Sequence, residues 1–169
     1  MMIVSIADLG AALGKAQAFS FVSSAPELDA IHEEYSLEGP VEVAGTVTNV
    51  GSGFRVKGVI TCRKSFVCDR CLGHFVEEQK HKFSEDFRRE GEAEGENESV
   101  NYFSGDAIDI AELVRDTILA AQPLNNICRP DCRGLCPKCG ADLNKGDCGC
   151  DRFVADPRLA ALQQLLKKK

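Results

Sequence analysis

Six of the nine cysteines in this chain fall within the 23 residues from Cys128 to Cys150, in the run CRPDCRGLCPKCGADLNKGDCGC, and two more stand far upstream at Cys68 and Cys71. Cysteines separated by two residues can place both thiolates on one tetrahedral ion, because the intervening turn carries the chain around the metal and not past it. The distribution therefore predicts a metal-stapled segment. Disulfides are the competing use of so many cysteines, since secreted chains build covalent frameworks from them. The opening segment MMIVSIADLGAALGKAQAF has no basic start and carries Asp8 and Lys15 among its apolar residues, unlike a signal peptide. No apolar stretch approaches the roughly 20 residues needed to cross a bilayer. The expected setting is a reducing cytoplasm, where thiols stay available for metal.

Cys136-Pro137-Lys138-Cys139-Gly140 is the strongest local motif. Glycine after the second cysteine permits the left-handed backbone that a knuckle turn demands, and Pro137 stiffens the turn. Eight residues on from Gly140, Cys148-Gly149-Cys150 supplies another pair, so Cys136, Cys139, Cys148 and Cys150 form one expected four-thiolate site. Cys68 and Cys71 with Cys128 and Cys132 form the second, which would close the segment between them into a stapled loop. Permuted pairings and a nitrogen ligand from His74 are alternatives on spacing alone. Cys62, in an alternating stretch, reads as a small strand residue outside both sites. Zinc is the expected metal at both, because closed four-thiolate sites are its ordinary structural arrangement and the run does not match ferredoxin spacings.

The first half reads as β structure. Val41 to Val50 alternates behind Pro40, Gly51-Ser52-Gly53 makes a turn, and Phe54 to Cys62 returns antiparallel. A further strand leads through Ser65-Phe66-Val67 to the first cysteine pair at a hairpin tip, and His74 to Phe87 continues beyond it. Ala18 to Val22 alternates as well, whereas Ile6 to Leu13 suggests one or two helical turns. Asp106 or Asp109 can cap a helix with apolar positions Ile110, Leu113, Val114, Ile118 and Leu119, ended by Pro123. Asp156-Pro157 opens a C-terminal helix striped by Leu159, Leu162, Leu165 and Leu166. The expected class is α+β: an antiparallel sheet or partial barrel in the N-terminal half, one central helix, a cysteine-rich zinc-binding segment and a terminal helix. The expected division is a β domain at 1–88, an acidic flexible linker at 89–99, and a helical and zinc-knuckle segment at 100–169 packing on the β domain.

The net charge of −6 is unevenly placed: residues 85–98 hold seven acidic and two basic residues, while residues 39–83 hold seven basic and four acidic ones. A locally basic face is thus compatible with an acidic protein. No clustered carboxylates with a nearby histidine suggest a nuclease, and the C-x-x-C pairs lack the βαβ setting of a redox motif. No enzymatic activity is expected.

The combination of Cys68-Asp69-Arg70-Cys71-Leu72, the run from Asp131 through Cys136-Pro137-Lys138-Cys139-Gly140 to Asn144, Cys148-Gly149-Cys150 and Asp156-Pro157-Arg158-Leu159 resembles the YceD family, the large ribosomal RNA subunit accumulation proteins of bacteria and plastids. The resemblance implies a non-enzymatic role in accumulation or processing of large-subunit ribosomal RNA. The implied partners are that RNA or its assembly intermediates, together with ribosomal proteins, and neither a membrane nor a small-molecule substrate. Arg63, Lys64 and Arg70, around the first cysteine pair, are the candidate phosphate contacts. The competing reading is a protein-interaction module that uses zinc only to fold.

Overall fold

The computed structural model describes residues 1–10, 12–28, 35–91 and 101–152. The predicted C-terminal helix and most of the predicted acidic linker lie outside these residues. The chain forms two compact units, one of Met1–Val67 with His74–Asn126, the other of Cys68–Gly73 with the chain from Ile127 onward.

The first unit is built on a long hairpin. β4 (Pro40–Asn49) and β5 (Phe54–Val67) pair antiparallel from Glu42↔Thr61 to Asn49↔Phe54, and β5 pairs with β6 (His74–Arg89) along its whole length, from Phe54↔Phe87 to Val67↔His74. The predicted strand at Ser65–Val67 is the end of β5 itself, with no break between them. β2 (Ala16–Ser24) adds antiparallel to β4, and β3 (Tyr35–Leu37) lies against the far end of β5. β7 (Asn101–Phe103) joins β6 in parallel, which makes the sheet mixed. The strand order β2-β4-β5-β6-β7 describes an open sheet and not a closed barrel.

Strict alternation decides which side is covered. Val41, Val43 and Val47 of β4, Phe54, Val56, Ile60, Cys62 and Phe66 of β5, and Phe83 and Phe87 of β6 are buried on one face. Each fully buried side chain of this size contributes on the order of 2 kcal/mol relative to exposure. That face packs in a single core with Met2, Val4, Ile6 and Leu9 from the N-terminus, Leu28, Ile108, and Ile110, Val114 and Ile118 of the helix. β1 (Ile3–Ser5) pairs antiparallel with β8 (Ala107–Asp109), so the N-terminus meets the chain just before α1 (Ala111–Ala120). Where helical turns are expected around Ile6 to Leu13, the described residues form separate hydrogen-bonded turns and no helix: the N–H groups of Leu9, Ala12 and Lys15 each donate to the carbonyl three residues earlier, and Ile6 and Leu9 are buried. The Asp109 carboxylate accepts from the N–H of Ala111 at 3.0 Å, holding an otherwise unpartnered donor at the start of α1.

Two glycines let aromatic rings lie directly on the sheet. Gly45 and Gly58 face one another across β4 and β5, and a side chain on Gly58 would meet the Phe83 ring at 2.6 Å and the Ala44 carbonyl at 2.7 Å. At Gly45 it would run into the carbonyl of Lys57 and the Phe19 ring. The aromatic rings thus lie over glycine backbone, filling space that the missing side chains leave.

Candidate metal centres

In the second unit, the turn after β5 brings its cysteine pair against the post-helical loop. Cys68 N–H donates to the Gly73 carbonyl at 2.9 Å and Leu72 N–H to the Cys68 carbonyl at 2.8 Å, closing a tight loop in which Leu72 takes a positive φ of 57°. Arg70 then binds the later segment twice: its carbonyl accepts from Leu135 N–H at 3.1 Å, and its guanidinium donates to the Cys132 carbonyl at 3.0 Å. Gly134, at φ +70°, lies so close to the Arg70 carbonyl that an added Cβ would meet it at 2.8 Å.

The result is a tetrad of Cys68, Cys71, Cys128 and Cys132, whose sulfur atoms all lie within 4.8 Å of one another. The Sγ atoms of Cys68 and Cys132 are 3.9 Å apart, and those of Cys71 and Cys128 are 3.8 Å apart. A tetrahedron with metal–sulfur bonds of about 2.3 Å has edges of about 3.8 Å, so the donors fit a single ion of zinc's size. A disulfide would need its two sulfurs at about 2.05 Å. Cys128 N–H and Asn144 Nδ2–H point at the sulfurs of Cys68 and Cys132, at 3.4 and 3.5 Å.

The second tetrad is Cys136, Cys139, Cys148 and Cys150, whose sulfur atoms likewise all lie within 4.8 Å of one another. Cys136 N–H donates to the Ala141 carbonyl and Gly140 N–H to the Cys136 carbonyl, with Gly140 at φ +72° as the knuckle requires. The tetrads differ in cover: Cys68 and Cys132 of the first are buried, whereas Cys139 of the second is exposed.

Protonation within each tetrad is uneven. Burial pushes the Cys68 thiol up, but the N–H groups of Cys128, Cys71 and Arg70 outweigh it and bring the thiol down to about 6. Backbone N–H groups of Cys139 and Lys138 bring Cys136 to about 6. In the same clusters, Cys128 is pushed up to about 12 by burial and its neighbouring thiols, and Cys150 to about 12 by Cys139 and Cys148 with burial. Four thiolates ionise together only when a positive ion compensates their repulsion.

Asn144 escaped the sequence reading. Its side chain touches the Cys132 sulfur, accepts from Arg133 N–H and the Arg129 guanidinium at 2.9 Å each, and donates to Asp142 at 2.8 Å, so it orients a ligand from behind. Its signal was its place between the cysteine pairs. His74 is exposed at the start of β6 and belongs to neither tetrad, and Cys62 is buried in the sheet core. Of the phosphate candidates, Arg63 and Arg70 are exposed. Lys64 is not: it is 0% exposed on the covered face, donates to the Ile118 carbonyl at 3.0 Å and lies 4.4 Å from the centroid of the Tyr35 ring, so it cannot meet a phosphate.

One unit holds a mixed sheet covered on one face and the other holds two four-cysteine clusters that could each hold a metal ion; among the described residues, no helix is long and apolar enough to cross a membrane. The chain belongs to the YceD family: the family model described as large ribosomal RNA subunit accumulation protein YceD matches residues 56–166. An uncharacterized protein of Mycobacterium tuberculosis is 30% identical over 123 residues, 71% of this chain and 59% of that protein. The chloroplastic large ribosomal RNA subunit accumulation protein YCED homolog 1 of Arabidopsis thaliana is 40% identical over 58 residues, 34% of this chain and 18% of that one. Its counterpart in Zea mays is 46% identical over 44 residues, 25% of this chain and 15% of the maize protein. The chain therefore spans about 59% of the length of the mycobacterial relative and less of the plant ones. No solved structure matches it.

Proposed function

We propose that this protein is a non-enzymatic, cytoplasmic factor of ribosome biogenesis that supports accumulation of large-subunit ribosomal RNA, and that each cysteine tetrad holds one structural zinc ion. The observation that carries this reading is the pair of four-thiol clusters in a member of the YceD family. Four sulfurs around one ion fill a tetrahedral shell, leaving no position for water or substrate, so such an ion folds the chain and does not catalyse. Zinc suits the all-thiolate donor set and tetrahedral spacing, and it brings no redox chemistry of its own. The names of the plant relatives support the link to large-subunit RNA.

Depletion of the protein, followed by ribosome profiles and precursor-RNA analysis, tests the reading. The expected result is a fall in mature large-subunit RNA with accumulation of its precursors. Unchanged large-subunit RNA would remove the functional assignment. Metal analysis of the purified protein should find two zinc ions per chain and no iron absorbance.

A further inference from the structure

Among the described residues, the sheet of the first unit has an uncovered face. The outward residues of β2, β4, β5 and β6 include Ala18, Ser20, Ala44, Thr46 and Ser84, all exposed and all small. Above this low centre stand long cations: Lys57 opposite Thr46 and Ser84, Lys82 opposite Val59, with Arg55, Arg63, Lys80 and Arg88 along the same two strands. Ala44, Thr46, Lys57, Val59, Lys82 and Ser84 line a shallow depression of about 680 Å³.

Charge on this face does not cancel. Its carboxylates are Glu42, Glu78 and Asp86, against six cations. Asp86 is engaged by Arg55 at 2.6 and 2.8 Å, and Glu78 by Lys80 at 3.4 Å. Lys57, Lys82 and Arg88 form no ion pair among the described residues. Asp86 itself is held below the usual carboxylate range by its hydrogen bond from Arg55 and by the charges of Arg55, Lys57 and Arg88, a direct sign of the local positive field. In a chain of net charge −6, this concentration of free cations on one flat face calls for a polyanion.

The same face carries no Phe, Tyr or Trp on β2, β4, β5 or β6, because their aromatic residues all point into the core. Unstacked bases are held by rows of aromatic platforms; the one exposed ring on this face among the described residues is Tyr102 of the edge strand β7, paired with Arg88, and a single ring at the edge makes no such row. A-form duplexes are instead held through phosphates and 2′-hydroxyls, with little sequence readout, by cations and small hydroxyl side chains such as Thr46 and Ser84.

We infer that the uncovered sheet face, through Lys57, Lys82 and Arg88, binds the sugar-phosphate backbone of double-helical RNA. This rests on the reading of the protein as a large-subunit RNA factor and supplies its contact surface.

The test is binding of the full chain to a 20-base-pair RNA hairpin across a salt series, with poly(U) and polyglutamate as comparison probes. Replacing Lys57→Gln, Lys82→Gln and Arg88→Gln together should leave zinc content and melting temperature unchanged. It should lower the slope of log affinity against log salt by about 2 to 3 and weaken hairpin binding at 0.1 M salt on the order of a hundredfold. A charge-matched variant in the cysteine unit, Lys138→Gln with Lys145→Gln and Arg152→Gln, should bind the hairpin as the parent does. Equal loss in both variants, stronger binding to poly(U) or polyglutamate than to the hairpin, or no binding to the hairpin would each overturn the inference. Depletion distinguishes the two levels. If large-subunit RNA falls on depletion but the hairpin is not bound, the face is wrong and the function stands; if the hairpin is bound through this face but depletion leaves the RNA unchanged, the reverse holds.

Discussion

The Lys64 ammonium donates a 3.0 Å hydrogen bond to the carbonyl of Ile118, tying the covered face of β5 to the last turn of α1. Carbonyls in that turn have no partner within the helix, and a cation at a helix C-terminus also meets the favourable end of its dipole. Replacing Lys64→Met leaves the Ile118 carbonyl buried without this donor, so the variant should lose about 1–2 kcal/mol at pH 7 in denaturant titrations. Burial lowers the Lys64 pKa from its ordinary value, an effect the Cys62 charge opposes. The unfolded chain then binds more protons than the folded one between the lowered value and 10.5. Stability from this group is complete above 10.5 and lost as pH falls through the folded value, so the gap between parent and variant should widen as pH rises. A gap constant from pH 7 to 10 would show that Lys64 titrates as a free amine.

His81, on the covered side of β6, is lowered below its ordinary 6.5 by burial and then by the Lys64 charge, and its Nε2 has no hydrogen-bond partner among the described residues. A depressed pKa means that its contribution is present above 6.5 and lost as pH falls through the folded value. Replacing His81→Leu should therefore flatten the acid side of the stability curve, by up to about 1.4 kcal/mol per pH unit below 6.5. Denaturant midpoints for parent and variant at pH 7 and 5.5 check it. Parallel acid losses in both would place the sensitive group elsewhere.

Much of this was legible in the residues. The β4–β5 hairpin follows from its alternation and its Gly-Ser-Gly turn, and α1 from the spacing of Ile110, Val114 and Ile118. Cysteine spacing suggested the same two groups of four that the sulfur positions bring together. Lys64 was misread although its position held the correction: it shares even-numbered parity on β5 with Phe54, Val56, Ile60, Cys62 and Phe66, so the alternation that buries them buries it. The same parity puts Lys57 outward. Pairing of Ile3 with Asp109 was beyond reach, because three-residue strands carry almost no periodicity and their partners are more than a hundred residues apart. Asn144 was hidden for a different reason: only the folded loop shows that its amide reaches the Cys132 sulfur.

Gly45 and Gly58 should resist even the smallest substitution. At each, a methyl group would enter space already held by a backbone carbonyl and an aromatic ring, Phe19 in one case and Phe83 in the other. The carbonyls belong to the paired strand and cannot move without breaking the ladder. Gly45→Ala and Gly58→Ala should each cost about 1–3 kcal/mol, the range for overpacked sites, against the small gain alanine brings by stiffening the unfolded chain. Gly146→Ala, where nothing lies within 4 Å, serves as the neutral comparison in thermal melts. Melting temperatures indistinguishable among the three would show that the rings simply turn aside.

Metal removal should divide the molecule. The hydrophobic core runs from Met2 to Ile118 and lies wholly within the first unit. In the second unit, the buried described residues are Cys68, Cys132, Gly134, Cys136 and Leu143, so apart from one leucine and one glycine its interior consists of metal-site sulfurs. With so little buried apolar area among its described residues to offset chain entropy, this unit would depend for folding on the zinc ions proposed above, and stripping them would leave clustered thiols. A strong zinc chelator should therefore abolish hydrogen-exchange protection at Cys136, Gly140 and Leu143, whose N–H groups are bonded within this unit, while Val43, Val56 and Ile60 in the sheet stay protected. Cys132→Ser should reduce the zinc content from two ions to one, and Cys139→Ser should do the same from the other tetrad. Retained protection at all three sites after complete metal removal would mean that hydrogen bonds such as those of Asn144 and Arg70 hold the unit without metal, and that the tetrads serve something other than folding.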